Sequence, residues 1–327
     1  MPKISVVMSV YNEPVEWMKQ AIDSILNQTF SDFEFIIIND KPDRVENKQL
    51  LDEYASKDPR IVIITNEQNI GLTKSLNKGL LISQGEYIAR MDADDISKSD
   101  RLEKTIYFFT VNPNIDFCST LFSTIDENGN IKEINACGRF TDISFIYRMN
   151  PIGHSSVMFR SKLLKLRTPL YNENFRYEQD YELWSFLCKK GVCMSILKEC
   201  LVLYRISPMQ ISNTKKRNRQ FSAQKVRFDL ITNYLIEHQI ITYRETGNIS
   251  QYLEKIELLD NKRDENIKKV LNIILFVLYY ELVKYDFSYI IKYLFNKNFY
   301  IYKFSFKDSI NIFLSRMYKE NHLIQLN

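Results

Sequence analysis

The stretch KISVVMSV (residues 3–10) sets the character of the first hundred residues. It is short, rich in β-branched residues and almost continuously apolar, which is typical of a strand covered on both faces. Three further stretches share this pattern: FEFIIIN (33–39), RIVIIT (60–65) and EYIARM (86–91). Strands of this kind occur in parallel sheets that carry helices on both faces. The sequence therefore predicts a parallel sheet in this part of the chain.

Helical segments lie between these predicted strands. The segment NEPVEWMKQAIDSILNQ (12–28) repeats apolar residues at helical spacing, with Asn12 as a suitable cap and Pro14 suited to the first turn. The segment GLTKSLNKGLLIS (71–83) carries leucines four residues apart, which form one apolar stripe. Because strands and helices alternate with short links, the sequence predicts an α/β fold with a mostly parallel sheet and flanking helices.

Polar residues follow each predicted strand, in YNE (11–13), ND (39–40), NEQN (66–69) and DADD (92–95). The carboxyl ends of parallel strands meet at one edge of the sheet, where ligands bind in such folds. No G-x-G-x-x-G follows the first strand, and no G-x-x-x-x-G-K-[ST] occurs anywhere in the chain. The usual dinucleotide-binding and P-loop functions are therefore unsupported.

The motif DADD places Asp92, Asp94 and Asp95 together at the end of an apolar strand. One interpretation is that an acidic residue here only caps the next helix, as Asp95 or Asp100 could. The other is a divalent cation, because oxygen ligands two residues apart suit Mg²⁺ or Mn²⁺ shared with substrate phosphates. Under this second interpretation, which we favour, the substrate is a phosphate ester or anhydride.

Two further places carry candidate functional side chains. Glu178 and Asp180 open the helical segment YEQDYELWSFLCKKG (177–191), where acidic side chains complement the helix dipole. His154 is the only histidine in residues 1–205, and it is either structural or a contact for a metal or a diphosphate.

Seven blocks of the sequence together resemble glycosyltransferase family 2, whose members have the GT-A fold, and in particular the bacterial enzymes that build O-antigen or capsular repeat units. The blocks are ISVVMSVYNE (4–13), FEFIIIND (33–40), NIGLTKSLNKGL (69–80), GEYIARMDADD (85–95), NPIGHSSVMFR (150–160), YEQDYELW (177–184) and LYRISPMQIS (203–212). The resemblance covers roughly residues 3–213. It implies a catalytic domain over residues 1–210. The residues beyond it predict a helical, basic and aromatic-rich region over residues 211–327.

The resemblance implies an inverting, metal-dependent transferase. The donor would be a nucleotide sugar, expected to be a uridine-linked hexose or N-acetylhexosamine, and the acceptor a glycan or a lipid-linked saccharide. The cation, Mn²⁺ or Mg²⁺, would lie on the donor diphosphate. Among the matching residues, Tyr11 and Glu13 would border the nucleotide, Asp40 would hydrogen-bond the base, and Asp92 would approach the ribose. Asp94 would be the metal ligand, and His154 would contact the metal or the diphosphate. Asp180 would be the general base, with Glu178 as the reserve choice or as an acceptor-binding residue.

The chain departs from the family's pattern at two positions. NDKPD (39–43) replaces the frequent Asp-Asp-Gly-Ser, and Ser207 stands where a basic residue or histidine is common. Two alternative functions stay open on the sequence alone. One is a catalytically silent nucleotide-sugar-binding or scaffold protein. The other is a sugar nucleotidyltransferase, although SVYNEPVEW (9–17) lacks the Gly- and basic-rich loop expected after its first strand.

The carboxyl-terminal third is the basic part of a chain of 327 residues whose net charge is +4. Residues 206–327 hold 19 Lys and Arg against 12 Asp and Glu, and residues 284–307 interleave five lysines with ten aromatic residues. This segment is either a helical subdomain with an aromatic core or a surface that rests on an anionic membrane. A nucleic-acid partner is not expected, because the catalytic part is acidic.

The sequence predicts a cytoplasmic protein, with peripheral contact to the inner face of the membrane as the alternative. The amino terminus has no small-residue cleavage site after its apolar run, so it is a poor signal peptide. The apolar run VLNIILFVLYY (270–280) is about half of the ~20 residues that a spanning helix needs. The five cysteines form no C-x-x-C pair, which favours reduced thiols.

Overall fold

Four parallel strands form one half of a single sheet in a computed structural model of the chain. The structure describes residues 1–135, 150, 152–208, 210, 214–242, 249–257 and several positions between 267 and 278. The parallel strands are β1 (Ile4–Val10), β2 (Phe33–Asn39), β3 (Ile61–Thr65) and β4 (Tyr87–Asp92), in the order β3-β2-β1-β4. These bounds agree with the predicted strands to within one residue, so the sequence-based prediction of a parallel sheet is confirmed here.

The other half of the sheet is mixed. Its strands are β5 (Ile96–Ser97), β6 (Phe117–Ile125), β7 (Ile131–Asn135), β8 (Val157–Arg160) and β9 (Met194–Arg205). The sheet continues from β4 as β8-β6-β9-β5, and β7 pairs with β6. β8 is antiparallel to both β4 and β6, whereas β9 is parallel to β6 and antiparallel to β5. This half brings β8 and β9 to the DADD segment.

Helices cover both faces of the parallel strands, as the sequence predicted. Among the described residues of this part, the α-helices are α1 (Val15–Leu26), α2 (Val45–Lys57), α3 (Leu72–Ile82), α4 (Arg101–Val111) and α5 (Gln179–Lys189). The side chains of Val6 and Met8 pack in one buried cluster with residues of α1, α2 and α4. Val7 points to the opposite face, where α3 packs. Burial on both faces explains the unbroken apolar runs of these strands.

The start of α1 differs from the prediction. The residue that precedes the helix is Pro14, not Asn12, and no side chain caps the helix. The Pro14 carbonyl accepts hydrogen bonds from the amides of Trp17 and Met18 at 3.0 and 3.1 Å. Because proline already holds a φ suited to the helix entry, the turn closes through its backbone without a polar cap.

The chain divides into two compact units, Met1–Arg227 and Phe228–Asn327. The sequence predicts that the catalytic domain ends near residue 210. This is a statement about function rather than compactness, and it stays a prediction. Where the structure describes residues 211–327, they are largely helical, in α6 (Lys216–Glu237), α7 (Ile249–Glu257) and positions between 267 and 278.

The predicted membrane-contact segment, residues 284–307, lies outside the described residues. In the described part of the chain, no helix combines the length and apolarity needed to cross a bilayer.

Gly79 brings α3 against the sheet, and we predict that Gly79→Ala destabilises the fold. A Cβ atom at this position would lie 2.7 Å from both Ile38 Cδ1 and Val7 Cγ1, which belong to buried side chains. Alanine favours a helix over glycine by about 0.5–1 kcal/mol. Overpacking should outweigh this gain, because it lowers the free energy of unfolding by about 1–3 kcal/mol. Urea denaturation followed by circular dichroism would measure the loss.

Val7→Ala provides the control for this prediction. It removes one of the two clashing methyl groups, so it should destabilise the Gly79→Ala protein less than it destabilises the unmodified protein. Equal destabilisation in the two backgrounds would contradict the clash.

Candidate active site

The carboxyl ends of β1, β2 and β4 lie side by side at one edge of the sheet. Ser9 pairs with Asp92, and Val10 pairs with Asn39, so these neighbouring strands end in register. The polar residues that follow them are therefore neighbours, as the parallel topology predicts. This edge holds most of the residues that the sequence marks as candidates.

Asp92 has both carboxylate oxygens engaged. Arg90 Nη2 donates to Oδ1, and the Ser155 hydroxyl lies 2.8 Å from Oδ2. Burial alone would raise the pKa of Asp92, but the charge of Arg90, nearby His154 and the Ser155 hydrogen bond together bring it below its usual value. Asp92 is therefore an ionised carboxylate with fixed protein partners. Its predicted approach to a ribose stays a prediction.

Asp95 is fully buried, and its oxygens are also engaged. The Arg205 amide donates to Oδ1 at 2.9 Å, and Oδ2 lies 2.5 Å from the Ser155 hydroxyl. Burial and the charges of Asp94 and Asp92 raise the pKa of Asp95 well above its usual value. The Ser155 hydroxyl thus bridges Asp92 and Asp95, and the raised pKa of Asp95 favours the protonated form of that carboxyl.

The helix-capping alternative for Asp95 is wrong. The residue that precedes α4 is Asp100, and Asp95 instead ties the end of β9 to the 3₁₀ turn His154–Ser156. Two hydrogen bonds compensate for the loss of water around the buried Asp95 carboxyl group.

Asp94 is the aspartate of this motif that keeps an open oxygen. Gln210 Nε2 donates to Oδ2 at 2.9 Å, and no side chain in the described ranges donates to Oδ1. Burial and the charge of Asp92 raise the pKa of Asp94 to about 6. A carboxylate that is half-buried, open at one oxygen and close to other negative charge is suited to a cation.

The donor set around Asp94 fits a Mg²⁺ or Mn²⁺ ion that is shared with a substrate. Among the residues that the structure describes, no group of three or more His, Cys, Asp or Glu side chains could hold a metal alone. These two cations commonly take only one or two carboxylates and complete their coordination with phosphate oxygens and water. Asp94 would thus hold the ion together with a diphosphate.

Tyr11 and Glu13 follow β1 and face the same cluster. Glu13 Oε2 accepts the Tyr11 amide at 2.7 Å, and the Lys41 ammonium lies 5.2 Å from the Tyr11 ring centroid. Burial raises the pKa of Glu13 to about 7, and the charges of Asp94 and Asp92 act in the same direction. The exposed Tyr11 ring is open to a planar ligand, so the geometry is compatible with the predicted border of a nucleotide.

Asp40 organises the loop between β3 and α3. Its Oδ1 accepts from Asn66 Nδ2 and the Ile70 amide, both at 2.8 Å, and Oδ2 accepts the Gly71 amide at 2.9 Å. Gly71 has a φ of +87°, which favours glycine at this helix start. The sequence did not indicate this loop-holding role. Contact between Asp40 and a base stays a prediction, and Oδ2 has the capacity to accept one more hydrogen bond.

His154 is packed between aromatic side chains. Its Nε2 lies 2.7 Å from the Tyr171 hydroxyl, and its ring meets Trp184 edge-on with centroids 5.9 Å apart. Burial and the charge of Arg90 lower the pKa of His154 to about 4, so the ring is neutral at pH 7. One ring nitrogen is thus engaged by Tyr171. The predicted metal or diphosphate contact would fall to Nδ1 and stays a prediction.

Asp180 lies in the first turn of α5 and is half-buried. Asn150 Nδ2 donates to Oδ2 at 2.6 Å, and the Tyr181 amide donates to Oδ1 at 2.8 Å. Each oxygen therefore keeps acceptor capacity. The charges of both Asp180 and Asp92 act on His154 and Tyr171, so both carboxylates lie near this aromatic pair.

Glu178 is more enclosed than Asp180. It precedes α5 with a φ of 57°, a left-handed conformation that is uncommon for residues other than glycine. Arg219 Nη2 of α6 lies 2.5 Å from its Oε1. Burial and the charge of Asp180 raise the pKa of Glu178 to about 7, although Arg219 opposes the shift.

Four residues that build this site were not identified from the sequence: Arg90, Ser155, Arg205 and Gln210. Two of them did carry a signal. Arg90 interrupts an apolar predicted strand and Arg205 follows the apolar residues of β9, and a buried arginine requires acceptors close by. Ser155 and Gln210 are ordinary polar residues whose importance depends on contacts that the sequence pattern does not reveal.

We predict that Asp95→Asn is tolerated better at pH 7 than at pH 4.5. In the unfolded chain Asp95 ionises near pH 3.9, whereas its raised pKa in the folded protein favours the protonated form at higher pH. Folding therefore loses stability as pH rises above 4, and this loss is absent in the asparagine variant. Urea unfolding of both proteins at the two pH values, in chelator, would measure the difference.

Asp58→Asn is the control, because Asp58 lies outside this cluster. The hydrogen bond from Arg60 lowers the pKa of Asp58 in the folded protein, so Asp58 is largely ionised in both states across this pH window, and the destabilisation should change little with pH. An Asp95→Asn variant that is more destabilised at pH 7 than at pH 4.5 would show that Asp95 is ionised.

The chain is similar to known proteins in sequence and in fold. The sequence model of the family described as "Glycosyl transferase family 2" matches residues 5–167. An uncharacterized glycosyltransferase of Methanocaldococcus jannaschii is 40% identical over 208 residues, which cover 63% of this chain and 71% of the relative. The O-antigen biosynthesis glycosyltransferase WbnJ of Escherichia coli is 36% identical over 209 residues, which cover 62% of this chain and 79% of WbnJ.

A solved structure shares the fold. S. aureus TarS 1–349 in complex with UDP-GlcNAc superposes with a TM-score of 0.60 at 14% identity, covering 91% of this chain and 89% of that one. At this identity the likeness concerns the fold alone. Together, the family match, the identity to the curated relatives and the shared architecture show that the chain has the GT-A fold and belongs to glycosyl transferase family 2.

Proposed function

We propose that the chain is an inverting, metal-dependent glycosyltransferase that moves a hexose or N-acetylhexosamine from a uridine-linked donor to a glycan or lipid-linked acceptor. The observation that carries the proposal is the open Oδ1 of Asp94, set at the strand ends between two carboxylates that are already satisfied. The TarS complex with UDP-GlcNAc supports a donor of this class. The name of WbnJ supports a product in surface polysaccharide synthesis.

The donor half of the reaction takes place at the ends of β1, β2 and β4. Tyr11 and Glu13 border the nucleotide, Asp40 hydrogen-bonds the base, and Asp92 lies towards the ribose. A Mn²⁺ or Mg²⁺ ion held by Asp94 would supply positive charge to the leaving nucleoside diphosphate. The fixed partners of Asp92 and Asp95 prevent these carboxylates from competing with Asp94 for the ion.

The acceptor half requires a base for the attacking hydroxyl, and Asp180 is the best-placed carboxylate. It is half-buried, its orientation is held by Asn150 and the Tyr181 amide, and it keeps acceptor capacity on both oxygens. Asp180 would take the hydroxyl proton as the oxygen attacks the anomeric carbon from the face opposite the leaving diphosphate. Attack from that face gives inversion.

Glu178 has a supporting role in this proposal. Its carboxylate is buried and paired with Arg219, so it is less accessible to an acceptor hydroxyl than Asp180 is. Its strained backbone conformation is of a kind that clusters at functional sites. We assign Glu178 to acceptor positioning, with general-base action as the alternative outcome of the experiment below. Membrane contact through residues 284–307 would bring the enzyme to a lipid-linked acceptor.

We predict that Asp94→Asn abolishes the metal-dependent part of donor binding while the fold survives. The neutral amide is a weaker ligand for a hard cation, so UDP affinity in Mn²⁺ should fall to the value measured in chelator. Isothermal titration calorimetry with UDP provides the measurement. Asp95→Asn is the neighbouring control and should keep most of the Mn²⁺ effect. An unchanged Mn²⁺ effect in Asp94→Asn would contradict the metal assignment.

We predict that Asp180→Asn binds UDP like the unmodified enzyme but loses turnover by roughly 10²-fold or more, the range that general-base catalysis supplies. Turnover would be followed as UDP release with a panel of acceptors. Glu178→Gln is the matched variant, because it also neutralises a carboxylate at the start of α5, and we expect it to raise the acceptor KM more than it lowers kcat. The reverse pattern would exchange the two roles.

A further inference from the structure

Gln210 has all of its side-chain hydrogen-bonding groups engaged around Asp94. It lies between β9 and α6, and its Nε2 donates to Asp94 Oδ2 at 2.9 Å and to the Arg205 carbonyl at 2.5 Å. Its Oε1 accepts the Ser207 amide at 3.2 Å. An amide fixed at both ends in this way has one orientation, so it presents an N–H to Asp94 and cannot rotate to present its oxygen.

The backbone of Asp94 is held from the same stretch of chain. Arg205 is fully buried, and its Nε donates to the Asp94 carbonyl at 2.8 Å. The other guanidinium nitrogens donate to the Asp126 and Glu127 carbonyls, both at 3.1 Å, and to Gln20 Oε1 at 2.7 Å. Arg205 therefore fixes the position of the Asp94 backbone, and Gln210 fixes the orientation of its carboxylate.

We propose that Gln210 is a positioning residue for the cation that Asp94 binds. Its hydrogen bond holds Oδ2, so Oδ1 is the oxygen that stays directed away from the protein donor and open to a divalent ion. Hydrogen-bond partners of metal-ligating side chains set ligand orientation, and their loss commonly lowers metal affinity by about 10–100-fold. This inference rests on the proposed metal-dependent function, and it extends the cation site to a residue 116 positions away in the chain.

The test is Gln210→Met, which keeps the side-chain length and removes the donor. Mn²⁺ affinity would be measured by electron paramagnetic resonance of free Mn²⁺ in the presence of UDP. We expect roughly a tenfold loss of Mn²⁺ affinity, with UDP binding in chelator unchanged. Gln84→Met is the matched control, because Gln84 is exposed and lies just before β4, at the opposite end of that strand from Asp94. It should leave Mn²⁺ affinity at the unmodified value.

A second variant separates positioning from a general loss of structure. Gln210→Asn keeps the amide but shortens the side chain, so it should weaken Mn²⁺ binding while the melting temperature in chelator stays within a few degrees. A loss of UDP binding in chelator that equals the loss in Mn²⁺, in both Gln210 variants, would show a merely structural role and overturn the inference.

Asp94→Ala distinguishes failure of this inference from failure of the proposed function. If Gln210 acts through Asp94, Gln210→Met should cause no further loss of Mn²⁺ affinity in the Asp94→Ala background. Normal Mn²⁺ affinity in Gln210→Met together with impaired affinity in Asp94→Ala would overturn the role of Gln210 alone. Normal affinity in Asp94→Ala would overturn the metal assignment and the inference together.

Discussion

The mutual repulsion of Asp92, Asp94 and Asp95 is the constraint around which this site is built. Two like charges 4 Å apart repel by about 1 kcal/mol in water and by about 4 kcal/mol near a protein surface. The structure relieves the repulsion differently at each residue. Arg90 pairs with Asp92, the raised pKa of Asp95 favours its protonated form, and Asp94 keeps one carboxylate oxygen open to a ligand. Only the third arrangement can accept an additional cation.

The mixed half of the sheet supplies the groups that make this possible. β8 pairs antiparallel with β4, so the 3₁₀ turn before it brings Ser155 between Asp92 and Asp95. β9 ends beside the same turn and contributes the Arg205 amide to Asp95. A purely parallel sheet would leave the end of β4 at an edge without these donors. The antiparallel extension therefore determines which aspartate stays open.

Local patterns and topology rules are the features that the sequence could predict. The parallel strands were predictable because burial on both faces requires continuous apolar residues, and the polar edge followed from the strand direction. The three aspartates were predictable as a site from their spacing, but their separate roles were not. Those roles depend on Ser155, Arg205 and Gln210, which lie 60 or more positions away from the aspartates they contact. The capping role expected for Asn12 failed for a local reason, because Pro14 closes that turn through its backbone.

Under the proposed function, the site contains two kinds of carboxylate: one is paired permanently with an arginine, and the other binds and releases a cation. A carboxylate whose charge stays constant through the reaction carries a fixed charged partner, as Asp92 does with Arg90. Asp94, which would bind a cation with each donor and release it afterwards, has a neutral partner, Gln210. A guanidinium at that position would occupy the place of the cation, whereas a side chain without fixed hydrogen bonds would let the Asp94 carboxylate rotate away. An anchored amide does neither, because it directs one oxygen without neutralising the other.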